Sequence, residues 1–201
     1  MAGIPITRNE VSPARAEGIR QRVRQVAVLP TGERPSRLAQ PGDAAELLAF
    51  LSDPSVHAPI YSLPNPLTPE SVAAFIEDHL EQRERGEGLL FVRPDETGAI
   101  MGYSDFQIWP QWAAGELGGA LRADRQSQGA GAAGAKASFQ WMFDALDLDL
   151  ICETAALDNV RTARLLDHLG FTRMGQVESV RPDGTTRASL VWELSRAGGL
   201  A

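Results

Sequence analysis

A short glycine-containing stretch offers backbone rather than side-chain chemistry. Gly129 and Gly131 have no Cβ, so a chain passing through them can turn tightly and bring several N–H groups close to an anion. The stretch from Gln126 to Gly131 also precedes an apolar-striped segment, whose predicted helix would add its positive N-terminal end. We therefore expect residues 126–131 to form a phosphate-binding loop at the start of a helix.

Three known phosphate-binding patterns compete for this loop. Gly129, Gly131 and Gly134 match the dinucleotide pattern G-x-G-x-x-G, but few residues remain for the further βαβ units that a dinucleotide domain needs. A P-loop is excluded because Lys136 comes one position too late for it. The third pattern, Q/R-x-x-G-x-G/A, is satisfied by residues 126–131 and is the interpretation we favour.

The elements that must position this loop can be predicted from hydrophobic periodicity. Residues 116–121 before the loop and 148–154 after the helix are expected to be strands, and Cys152 in the second is expected to be a buried core residue rather than a nucleophile. The helix between them has an apolar stripe that would pack against a sheet. The stripe consists of Ala135, Phe139, Met142, Phe143 and Leu146.

A second motif lies on the next predicted helix, which begins at Asn159 and ends at Gly170 in a Schellman arrangement with Phe171. The pattern N-x-x-S/T-x-x-L-L-x-x-L-G-F is met by Asn159, Thr162, Leu165, Leu166, Leu169, Gly170 and Phe171. In order and spacing, this motif and the glycine loop together resemble the GNAT N-acetyltransferase superfamily. The resemblance covers about residues 34 to 195.

The first part of the predicted domain resembles one branch of that superfamily, the ribosomal-protein N-terminal acetyltransferases. The pattern L-x-x-P-x-D-A, a helix and then L-S-D-P-x-V is met by Leu38, Pro41, Asp43, Ala44, Leu51, Ser52, Asp53, Pro54 and Val56. The resemblance implies an α/β (α+β) GNAT fold, a mixed, mostly antiparallel central sheet with a splayed parallel strand pair, flanked by helices. It also implies direct transfer of an acetyl group from acetyl-CoA to a primary amine, without a covalent intermediate.

The residues that the resemblance assigns to acetyl-CoA lie on the strand before the loop, on the loop and on the Asn159 helix. They are Leu121, Gln126, Ser127, Gln128, Gly129, Ala130, Gly131, Asn159 and Thr162. Backbone N–H groups near Gly119 to Leu121 are expected to bind the carbonyl oxygen where the strands splay apart. Asn159 has a second interpretation as an ordinary helix N-cap.

Acid–base chemistry is expected from carboxylates, because no histidine is placed persuasively beside the strands. Glu116 stands where the resembled branch has a strand glutamate, and Asp105 is predicted on the adjacent strand, so either could deprotonate the amine directly or through water. Leu166 replaces the tyrosine that many relatives use as an acid, which leaves Thr162 as the nearest hydroxyl. Because this tyrosine is absent, a non-catalytic acyl-CoA-binding module remains the alternative function.

The acceptor is expected to bind between the proline-rich segment 55–67, the segment Trp109 to Trp112 and the last hairpin. The candidate residues are Tyr61, Asn65, Trp109 and Trp112, with His57 a weaker candidate in the same loop. An α-amine titrates near 7.7 to 8.0 and a lysine side chain near 10.4, so an α-amine needs less help to lose its proton. We therefore predict a peptide N-terminus or a similarly weak small-molecule amine as the acceptor.

Composition and charge limit the remaining choices. The chain has 201 residues, 43% of them hydrophobic, one cysteine and a net charge of −7, which favours a single cored domain, a cationic acceptor and no nucleic-acid partner. We expect no membrane span, no metal site, a cytoplasmic location and a monomer or homodimer. We divide the chain into a basic, partly flexible arm (1–33), the acetyltransferase domain (34–196) and a tail (197–201). Within the arm, Val23 to Leu29 could form a short strand.

Overall fold

The computed structural model describes residues 3–30, 35–122, 130–181 and 183–200. Within these ranges a sheet runs through the molecule in the order β1-β2-β3-β4-β5-β6-β8-β7. The strands are β1 (Val28–Leu29), β2 (Ser36–Leu38), β3 (Gly88–Pro94), β4 (Ile100–Trp109), β5 (Ala114–Leu121), β6 (Leu150–Ala156), β7 (Thr172–Val180) and β8 (Thr186–Ser195). The helices are α1 (Pro13–Gln25), α2 (Ala44–Leu51), α3 (Pro54–His57), α4 (Pro69–Arg85), α5 (Ala130–Leu146) and α6 (Val160–His168), with 3-10 turns at Pro41–Asp43, Pro110–Trp112 and Arg196–Gly198.

The pairing of β5 with β6 is parallel, whereas the other described neighbours in the sheet are antiparallel. The two strands pair at Ala114 with Leu150 and at Gly115 with Ile151, and then they part. Beyond that point β5 stays with β4 as far as Leu121, while β6 stays with β8. The predicted splayed strand pair is confirmed, and the parting leaves a gap in the middle of the sheet.

Helices cover the two faces of the sheet and bury separate apolar clusters. On one face α5 and α6 pack on the strands, and the predicted stripe of α5 is confirmed because Phe139, Met142, Phe143 and Leu146 are buried. On the other face α2 and α4 bury a second apolar cluster, which includes Leu47 from α2 and Ile76 from α4. None of the helices in the described ranges combines the length and apolar character that a membrane span requires.

The basic N-terminal segment is more ordered than the sequence analysis expects. Ser12 caps α1 by accepting a hydrogen bond from the Arg15 N–H, and Ala16, Ile19 and Val23 form a buried helical stripe. Ile19 and Val23 belong to the same core cluster as α5. The strand expected across Val23 to Leu29 is wrong for Val23, and β1 is confined to two residues. The division of the chain at residues 33 and 34 stays a prediction.

Two local predictions are confirmed and one needs correction. The chain forms the β3–β4 and β7–β8 hairpins, and α6 ends in the Schellman arrangement, with Phe171 N–H donating to Leu166 O at 3.0 Å and Gly170 at φ 88°. The prolines of segment 55–67 predict that it holds no helix, and this prediction is wrong at its first residues. The segment begins inside the one-turn helix α3, because Asp53 accepts from Ser55 N–H and Pro54 occupies the first helical position.

Candidate active site

A large open cleft follows the gap between β5 and β6. Its volume is about 2230 Å³, which exceeds the roughly 300–1,000 Å³ of a typical small-ligand site and leaves room for two substrates. We call it the central cleft. Its walls come from β4, β5, β6, α4, α5, α6, the segment after α3 and the terminal hairpin.

Glu116 faces the central cleft from β5. Its Oε1 atom accepts a hydrogen bond from Thr154 Oγ1 on β6 at 2.8 Å, so the pair bridges the two diverging strands. Burial and, to a smaller extent, the charge of Asp105 raise the pKa of the Glu116 carboxyl to about 7, against the opposing effect of the Thr154 hydrogen bond. A carboxyl with this pKa can take up and release a proton near neutral pH.

Asp105 lies on β4, on the same face of the sheet as Glu116, and forms an ion pair with a buried histidine. His79 Nε2 is 2.9 Å from Asp105 Oδ1, and His79 Nδ1 is 2.7 Å from the backbone oxygen of Phe75. Both partners are oxygen atoms that can accept a hydrogen bond, so the geometry suits a protonated imidazole with hydrogen on both ring nitrogens. Burial alone lowers the pKa of His79, but Asp105 outweighs it and the pKa is raised.

His79 corrects the expectation that no histidine lies beside the strands. It occupies the apolar side of α4, where its ring centroid lies 4.4 Å from that of Phe75. The only sequence signal was its spacing from Phe75 and Ile76, which places it on the buried side of the helix. That spacing cannot reveal that Asp105, which is 26 residues away, is its partner.

A second carboxyl, that of Glu153, lies at the point where the strands part. Its Oε1 atom accepts a hydrogen bond from the Leu117 N–H at 2.9 Å, in place of the strand contact that β6 no longer provides. Glu153 is 6% exposed, and burial, followed by the charge of Glu116, raises the pKa of its carboxyl well above the usual value. The sequence analysis did not predict this residue.

The backbone of β5 beyond Leu117 directs N–H groups toward the gap. Arg122 N–H donates to Met101 O at 2.8 Å, so the alternate N–H groups of Gly119 and Leu121 face away from β4. Gly119 has a φ of 150°, and a Cβ there would stand 2.5 Å from Tyr103 O. This close approach to β4 requires glycine at the position.

The α6 helix brings Asn159 and Thr162 to the central cleft. Asn159 is the N-cap of α6, because its Oδ1 atom accepts from the Thr162 N–H at 3.1 Å, so the capping interpretation is confirmed. Leu166, at the position where relatives have tyrosine, is 2% exposed and belongs to the core. Thr162 stays the candidate proton donor on this helix.

Much of the predicted phosphate-binding loop lies outside the described residues. The residues outside the described ranges include Gln126, Ser127, Gln128 and Gly129. Ala130 is described only as the first residue of α5. Gly131 lines the cleft, and no atom would lie within 4 Å of a Cβ added there. The first turn of α5 therefore lines the cleft, whose wall also includes Leu121 at the end of β5. Among described residues, no group of three or more His, Cys, Asp and Glu could hold a metal ion.

Three of the four acceptor-site candidates line the same cleft as Glu116. These are Tyr61, Trp109 and Trp112. Asn65 does not line it, because its Nδ2 atom donates to Asp183 Oδ2 at 2.9 Å and ties its loop to the β7–β8 turn. The weaker candidate His57 contacts Leu51 O at 3.0 Å and is likewise not in the wall.

Two arginines of the terminal hairpin lie close to Tyr61. The Cζ atoms of Arg181 and Arg187 are 4.5 Å and 4.2 Å from the centroid of the Tyr61 ring, and Arg187 lines the central cleft. Tyr61 Oη also donates to Thr185 Oγ1 at 3.4 Å. The sequence analysis named Tyr61 and the hairpin but not these cations.

The N-terminal residues complete one wall. Ile6 and Thr7 N–H groups donate to Glu193 Oε1 on β8 at 2.6 Å and 2.9 Å, and Ile4 packs in a small cluster with Cys152. Cys152 is fully buried, as predicted. The Arg8 Cζ atom is 4.8 Å from the centroid of Trp112, so this segment reaches the tryptophan turn.

The comparisons with known proteins agree with this geometry. The family model described as acetyltransferase (GNAT) domain matches residues 37–172. A comparison with curated proteins gave no significant match.

The topology also disagrees with the dinucleotide-binding interpretation, because β5 and β6 are the parallel pair in an otherwise antiparallel described sheet.

Several solved structures share the fold at low sequence identity. The ribosomal-protein-S5-alanine acetyltransferase from Vibrio fischeri is 19% identical with a TM-score of 0.68, covering 85% of this chain and 97% of that one. RimJ from Mycobacterium smegmatis, solved with CoA-disulfide, is 19% identical with a TM-score of 0.68, covering 85% of each chain. RimL, the ribosomal L7/L12 α-N-protein acetyltransferase solved with coenzyme A, is 17% identical with a TM-score of 0.69, covering 84% of this chain and 97% of that one.

Proposed function

The chain belongs to the GNAT acetyltransferase family, and from this membership we propose that it acetylates the α-amine of a peptide N-terminus, or a similarly weak small-molecule amine, with acetyl-CoA. The parting of β5 from β6, with Glu116 facing the cleft between them, is the observation that supports the proposal most strongly. The printed names of RimJ, RimL and the S5-alanine enzyme support a peptide acceptor.

The described residues fit acetyl-CoA. A gap in the sheet with N–H groups of Gly119 and Leu121 facing it suits an extended amide-containing arm, and the start of α5 at Gly131 suits an anion. Asn159 and Thr162 stand on the opposite wall. When bound, acetyl-CoA supplies an acetyl group activated as a thioester. We assign its binding to these residues and to the loop 126–129.

Glu116 is the proposed general base. The carboxylate takes a proton from the ammonium form of the acceptor, so that the free amine lone pair can attack the acetyl carbonyl carbon. Asp105, the other candidate, is engaged by His79, whose Nε2 atom lies 2.9 Å from Asp105 Oδ1. The Glu116 carboxyl has a pKa of about 7 and lines the central cleft, so we assign the role of base to Glu116.

Attack by the amine places negative charge on the carbonyl oxygen of the thioester, and hydrogen-bond donors directed at this oxygen are needed to stabilise it. The Gly119 N–H meets that need because it faces away from β4 at a point where β5 and β6 no longer pair. When the bond from carbon to sulfur breaks, the sulfur must gain a proton. The Thr162 hydroxyl on α6 is the residue we assign to this step, directly or through water.

The acceptor class follows from the strength of the base. A carboxylate with a pKa of about 7 lies roughly 1 unit below an α-amine but more than 3 units below a lysine side chain. The difference of about 2.5 units corresponds to roughly 3 to 4 kcal/mol of extra cost for lysine. We therefore assign the α-amine rather than the lysine amine as the acceptor.

Two versions of one short peptide test this assignment. One has a free N-terminus and a blocked lysine, and the other has a blocked N-terminus and a free lysine. We expect faster acetylation of the first at pH 7.5, measured by release of CoA. Faster acetylation of the lysine version would overturn the assignment, and tight acetyl-CoA binding without turnover of any amine would instead support a non-catalytic acyl-CoA-binding module.

A further inference from the structure

The arginine pair at the terminal hairpin has no carboxylate partner among the described residues. Arg173 and Arg196, on the same hairpin and just after it, form ion pairs with Asp167 and Asp147. By contrast, the Nε atoms of Arg181 and Arg187 are buried and donate no hydrogen bond within the described ranges. The pair therefore brings two positive charges to Tyr61 without an ion-paired carboxylate among the described residues.

The acidic groups near this pair are engaged elsewhere or remote. Asp183 in the hairpin turn accepts from the Thr185 N–H and hydroxyl and from Asn65, and its charge acts on Arg181 only at a distance. Burial lowers the pKa of Arg187, and the neighbouring Arg181 lowers it too, while Tyr61 and Asp158 oppose the shift. An anion placed beside Arg187 would relieve both unfavourable effects.

The stacking on Tyr61 leaves the guanidinium edges for another ligand. A guanidinium whose flat face rests on an aromatic ring still presents its N–H groups along its rim, and their fork matches the two oxygens of a carboxylate. Arg187 lines the same cleft as Glu116, Trp109 and Trp112. A ligand held by Arg187 would therefore share the cleft with the residue that receives the proton from the amine.

We propose that the acceptor carries a carboxylate as well as its amine, and that Arg187, supported by Arg181, binds this carboxylate at the Tyr61 side of the central cleft. The inference rests on the proposed acetyltransferase function and narrows its substrate class. It also refines the expectation from the net charge of −7, because the local charge at this wall is positive although the whole chain is acidic. The carboxylate comes from an acidic side chain near a peptide N-terminus or from the α-carboxylate of a free amino acid.

Matched acceptors test the proposal and separate the two sources. One pair consists of a short peptide with Asp at the second position and the same peptide with Asn. The other consists of a free amino acid and its carboxamide. We expect the acceptor KM to be at least tenfold lower for the carboxylate member of one pair, and the pair that shows this identifies the source.

Variants then assign the preference to Arg187. We expect Arg187→Gln to raise the KM of the preferred acceptor at least tenfold while the KM values of its neutral analogue and of acetyl-CoA change by less than twofold. Arg187→Lys, which keeps the charge but loses the fork, should lose part of the preference, and so should Arg181→Gln. Arg196→Gln is the control, because Arg196 lies 5.9 Å from the ring centroid of Phe143 and does not line the cleft.

Calorimetric titration of the protein saturated with CoA provides a readout that does not need turnover. Tighter binding of the carboxylate acceptor, lost in Arg187→Gln, would support the proposal. Equal KM and equal affinity for the two members of both pairs in the unchanged protein would overturn it and leave the acetyltransferase function intact.

If Arg187→Gln does not fold, the Arg187→Lys and Arg181→Gln proteins test the proposal in its place. A full carboxylate preference in both of these variants would also overturn it. Failure to acetylate any amine counts against the proposed function alone.

Discussion

The two faces of the diverging strands differ sharply in chemistry. On the side of α5 and α6, Leu117, Ile151 and Ala155 join a continuous apolar cluster. On the side of α4, the same strands present Glu116 and Thr154 beside an ion pair from β4 and α4. The contrast shows that Glu116, Asp105 and His79 are gathered on one face, where the charge of Asp105 raises the pKa of both Glu116 and His79.

The contrast arises from the period of two in a β-strand. Neighbouring residues point to opposite faces, so Glu116 and Leu117 serve the site and the core from adjacent positions. A slip of one residue in the register would exchange the two faces completely. Glu153 lies between Ile151 and Ala155 on the apolar side, where burial raises the pKa of its carboxyl and its Oε1 atom accepts a hydrogen bond from the Leu117 N–H.

The largest expected effect comes from removing the charge on the polar face. Glu116→Gln keeps an oxygen that can accept from Thr154 but cannot take up a proton, so kcat should fall by a factor of about 10² to 10⁴. In the unchanged enzyme kcat should rise with pH through about 7, because the base acts when deprotonated. This rise should be absent in the variant.

The measurement is kcat across a pH series at saturating substrates, with the affinity for acetyl-CoA measured by calorimetry and expected to be unchanged. Glu81→Gln is the matched control, since Glu81 forms a surface ion pair with Arg85 far from the strands. A pH profile in Glu116→Gln identical to that of the unchanged enzyme would remove Glu116 from the proton transfer.

A smaller effect is expected from adding one methyl group to each face. A Cβ at Gly115 would lie 2.8 Å from Met142 Cε and 2.9 Å from Leu148 Cδ1, in a fully buried part of the core. At Gly118 on the polar face the nearest atom is Asp105 Cβ at 3.7 Å, an ordinary contact. Gly115→Ala should therefore cost about 1–2 kcal/mol more than Gly118→Ala.

Thermal unfolding of the two glycine variants measures this difference. For a chain of this size, each 1 kcal/mol corresponds to a change in Tm of roughly 2–4 °C. Equal Tm values for both variants would show that the apolar face is packed no more tightly than the polar face.

The last prediction concerns the pH dependence of stability at His79. The pKa of His79 is raised in the folded protein, so its stabilising contribution is complete below the unfolded value of about 6.5 and is lost as pH rises through the folded value. His79→Asn removes the contribution and should cost about 1–3 kcal/mol at pH 5.5 and less at pH 8.5. The charges that face the ring are Asp105 and Asp78.

Denaturant titrations of the unchanged protein and of His79→Asn at the two pH values give the required free energies of unfolding. Leu80→Asn, one residue further along α4, controls for the loss of a side chain on that helix. A stability difference that is the same at both pH values would mean that His79 is not charged in the folded protein.

Local sequence patterns were enough to predict the helices and strands that surround the proposed cofactor half of the site. The stripe of α5, the Schellman end at Gly170 and the strand bearing Glu116 each follow from residues within one or two turns or from a motif of fixed spacing. Their positions could be predicted because the interactions that define them join residues that are close together in the sequence.

The acceptor half depends on contacts between distant residues, and there the predictions were incomplete. His79 meets Asp105 across 26 residues, and Arg187 meets Tyr61 across a much longer separation. No periodicity in the sequence connects these pairs. The helix α1 was missed for another reason, since its Ser12 cap and its stripe lie in a segment whose prolines and glycines suggested a flexible arm.

The hydrogen bonds from Ile6 and Thr7 to Glu193 have a consequence for synthesis of the protein. These partners are separated by 187 and 186 residues, and β6 also lies between β5 and the late strand β8. A ribosome adding roughly 5–20 residues per second delivers Glu193 many seconds after the first wall residues have emerged. The nascent chain must therefore wait, with its first segment unanchored and one side of β6 unpaired, until β8 is available.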